Sequence, residues 1–219
     1  MDVFLVYGGT FDPIHRGHLA IACAARDALR CTVHVVPASD PPHRAPPGAD
    51  AGQRAAMVAI AIAHVPGLVL DRRELQRGGR SYTVETLAEL RAALGPRRPL
   101  AWLVGADSLL GLSGWHRWTS LFDLAHLVVA ERPGSGLDDA IPGVLADALR
   151  ARWTERPDDL AAAPGGRVLR LRQPLSLVSA TEVRAQLARG APVDALLPPG
   201  VAAFIEATGL YRPAPGASL

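Results

Sequence analysis

The stretch VFLVYGGTFDPIHRGHL, Val3 to Leu19, decides how this chain is read. A short apolar run, Val3 to Tyr7, stops at Gly8-Gly9, the pattern of a buried strand entering a turn. The turn then carries Pro13 and two histidines three residues apart, His15 and His18. A plain turn needs a Gly or a Pro, not this crowd. Behind it, HLAIACAARDAL sets Leu19, Ala22, Cys23, Ala25 and Ala28 at helical spacing, so a helix starts near Arg16 and runs to about Arg30. TVHVVPA, Thr32 to Ala38, is β-branched and reads as the next strand. A strand–helix–strand unit of this kind joins parallel strands.

The junction itself suits an anion. Gly8 and Gly9 let backbone approach a ligand with no Cβ in the way, and Pro13 stiffens the loop. The free N–H groups of the helix that follows point back at the loop and favour negative charge. His15, Arg16 and His18 add donors or cations at that same end, an arrangement that is unfavourable alone and satisfied by a phosphate. A buried core histidine and a two-histidine metal site are the plainer readings. No carboxylate or cysteine completes a metal-ligand set at useful spacing. The loop lacks the terminal Lys-Ser/Thr of a Walker A motif and is not GxGxxG.

Further along, Asp40 to Asp50 holds four prolines and reads as loop. Asp50 caps a helix over Gln53 to His64, with Gln53 completing a capping box. Gly67 to Asp71 reads as a strand, and a helix from near Thr83 stops at Gly95-Pro96. Strands follow at Leu100 to Gly105, Ala125 to Ala130 and Gly166 to Leu171, with short helical pieces over Asp107 to Leu124. Glu155 to Gly166 is loop-like. Helices near Thr181 to Ala188 and Val201 to Thr208 close the chain. This alternation predicts an α/β fold: a doubly wound, mostly parallel sheet with helices on both faces. Ligands of such sheets bind at the carboxyl ends of strands, so the ends at Tyr7, Val104 and Ala130 are expected to share one crevice.

Near the C-terminus, SATEVR offers Ser179 as an N-cap with Glu182 three residues on. Arg184 sits in the second turn, either as an ordinary surface cation or as a second phosphate clamp. Composition bounds the rest. With 219 residues, 49% hydrophobic and 20% charged, the chain reads as globular. A net charge of +2 argues against a protein that coats nucleic acid. All 23 basic residues are arginine, and there is no Lys or Asn, a compositional bias. Cys23 and Cys31 are too few for a disulfide framework or a four-ligand zinc site and read as reduced core residues. No basic region precedes the first apolar run and no run approaches the ~20 residues of a bilayer span, so the expected address is the cytoplasm, with no membrane partner.

GGTFDPIHRGHL resembles the nucleotide-binding signature of the HxGH nucleotidylyltransferases, here as HRGH, and among them the bacterial nicotinate-nucleotide adenylyltransferases. PPHR at 41–44, SYTVETL at 81–87, GADSL at 105–109 with WHRW at 115–118, VVAERPG at 128–134, and SATEVR at 179–184 with LYRP at 210–213 extend the resemblance in family order. It implies a Rossmann-like nucleotidyltransferase domain spanning 1–219, whose C-terminal helices, about 179–210, complete the ATP site. It implies that the phosphate of nicotinate mononucleotide attacks the α-phosphorus of ATP, giving deamido-NAD and pyrophosphate without a covalent intermediate. Mg²⁺ would ride on the ATP phosphates, with no protein-held metal. His15 and His18 would polarise those phosphates. Gly8, Gly9, Thr10 and Phe11 would line the nucleotide loop, with Gly105 beside it. Ser179, Thr181 and Arg184 would hold the β- and γ-phosphates. Thr83, Trp115 and His116 would receive the nicotinate ring, and Asp107 a ribose hydroxyl. Trp115 as core and Asp107 as a helix cap are the plainer alternatives. Arg44 stands where the family usually has Lys and is read as a catalytic phosphate contact; Arg132 is read as a nucleotide contact. Self-assembly is left open. Two rivals remain: a sister adenylyltransferase using nicotinamide mononucleotide or pantetheine phosphate, and an idle nucleotide-binding module. SYTVETL and Trp115-His116 speak against pantetheine phosphate; both histidines being present speaks against the idle module.

Overall fold

A computed structural model describes residues 2–42, 47–131, 137–172 and 178–212. Seven strands form one sheet: β1 (Phe4–Gly9), β2 (Val33–Pro37), β3 (Leu68–Leu70), β4 (Leu100–Gly105), β5 (His126–Glu131), β6 (Trp153–Thr154) and β7 (Val168–Arg172). Their order is β3-β2-β1-β4-β5-β7-β6, and every pairing is parallel. Between strands run α1 (Arg16–Leu29), α2 (Ala51–Ile62), α3 (Arg73–Arg77), α4 (Thr83–Leu94), α5 (Ala106–Leu110), α6 (Leu121–Leu124), α7 (Leu137–Ala140) and α8 (Gly143–Leu149); α9 (Ala180–Ala188) and α10 (Val201–Thr208) follow the last strand.

Strand alternation sends side chains to two cores. Leu5 and Tyr7 of β1, Leu103 of β4 and Val128 of β5 face α1, α2, α9 and α10. Val6, Trp102, Val104 and Val129 face α4 to α8. Both faces are covered, which is what a parallel sheet requires and why its strands read as continuous apolar runs. Cys23 and Cys31 are unpaired thiols packed against the first core, and burial pushes the Cys31 thiol up to about 11.

The expected elements are present, and others were not anticipated. α3, α7, α8 and the edge strand β6 have no counterpart in the sequence reading, and a 3-10 helix, Pro157–Ala162, occupies part of the expected 155–166 loop. The chain winds outward through β2 and β3 on one side of β1 and through β5 and β7 beyond β4 on the other. The winding therefore reverses between β1 and β4, and this switch point is where a crevice opens.

Candidate active site

The carboxyl ends of β1 and β4 frame a cavity of about 750 Å³. It is lined by Gly8, Gly9, Thr10, Phe11, His15, His18, Gly105, Asp107, Ser179, Thr181 and Arg184, so the whole expected ATP set is brought together. A second lobe of about 430 Å³ is lined by Thr83, Trp115 and His116, with Glu74, Ser81, Tyr82 and Trp102. Gly8, Gly9, Thr10, Ser108 and Trp115 border both lobes. The third expected strand end, Ala130, borders neither; β5 lies one strand beyond the switch point. Arg44 and Arg132 lie outside the described residues.

Gly8 and Gly9 are needed for a reason the sequence did not show. A Cβ on Gly8 would lie 2.1 Å from Cζ2 of Trp102, and one on Gly9 would lie 2.9 Å from Cζ of Phe11. The glycines bring aromatic rings onto the backbone and leave its edge in the cleft. Trp102 Nε1 is buried and has no acceptor among the described residues.

His15 caps α1, and its ring stacks on that of His18 at 3.7 Å between centroids and 27° between planes. His18 Nδ1 accepts the His15 backbone N–H at 3.2 Å. In the neutral ring this places the proton on Nε2, the nitrogen on the far side of the ring from that bond. Arg16 does not join the histidines: its guanidinium donates to Asp194 O at 3.2 Å, outside the cavity. Across the cavity, Ser179 caps α9 and accepts Glu182 N–H at 3.2 Å. The N-termini of α1 and α9 thus line one cavity from two sides, and their partial positive charges add. Asp107 lies within the first turn of α5, where Gly105 is the cap, so it is an exposed cavity carboxylate and not a helix cap.

Two buried polar residues that the sequence reading passed over hold this cavity. Asp12 is 7% exposed, and its carboxylate accepts Gly48 N–H at 2.9 Å, Ala49 N–H at 3.1 Å and the Tyr211 hydroxyl at 2.7 Å. Arg184 donates to the Asp12 carbonyl at 2.7 Å and lies 3.8 Å from its carboxylate, which aims the guanidinium from α9. Arg54 is 1% exposed; it donates to Thr10 O at 2.7 Å, Ser39 O at 2.9 Å and Ala49 O at 3.2 Å. Burial pulls its guanidinium below the ordinary value, with Asp12 opposing. These three carbonyls belong to the β1 loop, the end of β2 and the approach to α2. The short stretch DPIH gave a hint of Asp12 as a turn residue; Arg54 gave none.

The structure brings Thr83, Trp115 and His116 together on the second lobe. Thr83 is the first residue of α4, Trp115 is half-buried, and His116 packs on Tyr82 at 4.6 Å. Trp118 instead packs edge-on against Phe122 at 6.3 Å and borders neither lobe.

The cytidylyltransferase-like family matches residues 6–186. A curated relative from Stenotrophomonas maltophilia, named "Probable nicotinate-nucleotide adenylyltransferase", is 59% identical over 97% of this chain and 98% of its own. One of the same name from Aeromonas hydrophila is 51% identical over 95% of this chain and 97% of its own. The solved structure of Plasmodium falciparum nicotinic acid mononucleotide adenylyltransferase complexed with NaAD superposes with a TM-score of 0.71 at 17% identity, covering 96% of this chain and 98% of that one; it shares the fold. With its HRGH loop at the switch point and its full-length likeness to these relatives, the chain belongs to the nicotinate-nucleotide adenylyltransferase family within the cytidylyltransferase-like group.

Proposed function

We propose that the chain transfers the adenylyl group of ATP to nicotinate mononucleotide, a step of NAD biosynthesis. A phosphate oxygen of the mononucleotide bonds to the α-phosphorus, the bond from that phosphorus to the oxygen bridging to the β-phosphate breaks, and pyrophosphate leaves. The observation that carries this reading is the two-lobed cleft. One lobe gathers stacked imidazoles and two helix N-termini, the other gathers aromatic rings and hydroxyls, and the lobes meet at Gly8, Gly9 and Thr10.

In this reading the larger lobe takes the triphosphate. Gly8, Gly9, Thr10 and Phe11 line its bed, and Gly105 leaves room above β4. His15 and His18 meet the phosphates on one side and stabilise charge growing on the bridging oxygen. Ser179, Thr181 and Arg184 hold the β- and γ-phosphates on the other, and Asp107 receives a ribose hydroxyl. Thr83, Trp115 and His116 receive the nicotinate ring. Arg44 and Arg132 enter on sequence alone, as contacts to phosphate and nucleotide. Such a site works by positioning and charge stabilisation and needs no protein nucleophile. In this reading Mg²⁺ rides on the ATP phosphates, and the Asp12 carboxylate in the same cavity is already engaged by three donors. When bound the ion would neutralise triphosphate charge, leaving the histidines to act on the oxygens. The same reading places the enzyme in the cytoplasm.

The test is pyrophosphate release from ATP with nicotinate mononucleotide, nicotinamide mononucleotide or phosphopantetheine. Turnover is expected to be greatest with the acid mononucleotide. His18→Ala is expected to cut turnover by about 10²–10³ while leaving mononucleotide affinity nearly intact. ATP binding without pyrophosphate from any acceptor would reduce the chain to a binding module.

A further inference from the structure

The ring lobe contains one acid that the reaction does not use. Glu74 lies in α3 and is 3% exposed, yet it borders the lobe. If its role were to fill space, an apolar side chain would do so at lower desolvation cost. Its carboxylate instead accepts the Thr86 hydroxyl at 2.6 Å and a hydrogen bond from Ser81. Ser81 Oγ accepts Ser39 N–H at 2.8 Å, and Ser81 N–H donates to Asp40 O at 2.8 Å. Arg77 donates to Thr86 Oγ1 at 3.0 Å and pairs with Glu89 at 2.9 Å, strapping α3 to α4.

These bonds tie two walls together. Ser39 and Asp40 follow β2 on one side; Ser81 to Thr83 open α4 on the other. We propose that Glu74 is a positioning residue for the mononucleotide: by gripping Ser81 and Thr86 it fixes the width of the ring lobe and aims the first turn of α4, with Thr83, at the carboxylate of a pyridine ring. The proposal rests on the reading that this lobe takes the mononucleotide. Two observations separate the role from general packing. The contacts of Glu74 are directional hydroxyl bonds, and Thr86 itself borders neither lobe, so a change there leaves the surface that meets the ligand unaltered. Burial raises the Glu74 carboxyl, opposed by the Thr86 and Ser81 hydrogen bonds, which fits a group kept for its partners and not for solvent.

The experiment compares the full chain with Glu74→Gln and Thr86→Val. Pyrophosphate release gives KM for each substrate. Quenching of tryptophan fluorescence, with Trp102 and Trp115 on the lobe, gives the affinity for nicotinate mononucleotide alone. Glu74→Gln is expected to raise KM and Kd for the mononucleotide about tenfold, and Thr86→Val about threefold, with KM for ATP moving less than about twofold. Parallel changes for both substrates, or none, would overturn the proposal and leave Glu74 a structural residue. A wild-type chain that makes no pyrophosphate from this pair would instead overturn the functional reading beneath it. Thr86→Val keeps its shape and carries the test if Glu74→Gln does not fold.

Discussion

Replacing Tyr211 by phenylalanine removes one hydroxyl and leaves the ring that packs against Gly48, where a Cβ would lie 2.9 Å from the Tyr211 ring. That hydroxyl donates to Asp12 Oδ1 at 2.7 Å, and the remaining donor to the same oxygen is Ala49 N–H at 3.1 Å. A hydrogen bond to a buried charged group contributes about 1.5–3 kcal/mol. Because Asp12 keeps both backbone donors and Arg184 nearby, the lower part of that range applies, about 1.5–2 kcal/mol. For a chain of this size each kcal/mol moves Tm by roughly 2–4 °C, so Tyr211→Phe is expected to melt about 3–8 °C lower. Arg184 is aimed by the same aspartate, so KM for ATP rises while KM for the mononucleotide holds. Burial, then the hydrogen bond to Asp12 and its charge, raise the Tyr211 hydroxyl far above its ordinary value. Above about pH 10 the unfolded chain loses this proton and the folded one keeps it, so wild-type stability falls there and the variant lacks that component. Thermal melts at pH 7.5 and pH 10.5 with pyrophosphate assays read all three effects. A variant melting within about 1 °C of wild type at pH 7.5 would refute the idea that the tail is locked to the nucleotide loop through Asp12.

Two further outcomes follow from packing and protonation. Gly8→Ala puts a methyl 2.1 Å from Cζ2 of Trp102, which is itself 3% exposed, so the ring has to move; a loss of about 1–3 kcal/mol in denaturant unfolding is expected, and an unchanged midpoint would mean the strand yields freely. His126 is fully buried, with Nε2 2.8 Å from Ala163 O and Nδ1 accepting Arg167 N–H at 3.0 Å; burial lowers its protonation, against the opposing hydrogen bond to Ala163. Below about pH 6.5 the unfolded chain takes up this proton and the folded one resists, so stability falls as pH drops from 7 to 5.5, and His126→Gln flattens the decline. A decline of equal slope in wild type and variant would remove His126 from the account.

What could be read from the sequence was what repeats or touches. β1, β2, β4 and β5 are apolar runs because both sheet faces are covered, and the capping residues Asp50 and Ser179 announce their helices. α3 stayed hidden because RELQR is polar, five residues long and followed by Gly78-Gly79, and β6 is two residues long, too short for any alternation. Asp12 and Tyr211 are 199 positions apart, and nothing local to either marks the bond. Arg54 sits among alanines in a chain whose basic residues are all arginine, so its burial left no compositional trace. Arg16 was grouped with the histidines by proximity, but on α1 it projects toward Asp194 instead.

The hidden half of the site has a common physical reason. A reaction carried by positioning depends on angles as well as distances, and a leucine fixes only distance. A buried Asp12, Arg54 or Glu74 fixes angles, because each hydrogen bond is directional and each costs desolvation if it is lost. Such groups draw their partners from other segments: Asp12 accepts three donors, Arg54 donates to three carbonyls and Glu74 accepts two hydroxyls. Asp12 reaches the exit of the proline-rich loop, α9 and the tail; Arg54 reaches the β1 loop and the end of β2; Glu74 holds the α4 wall of the ring lobe, which Ser81 ties to the β2 wall. Each is therefore a long-range device, invisible to spacing rules, and each ties one lobe of the cleft to a rigid element. The loop at Gly8 to Thr10, where the lobes meet, is held through Arg54 from beneath and through Asp12 from its far end, so its placement is set by the tertiary fold and not by the turn itself.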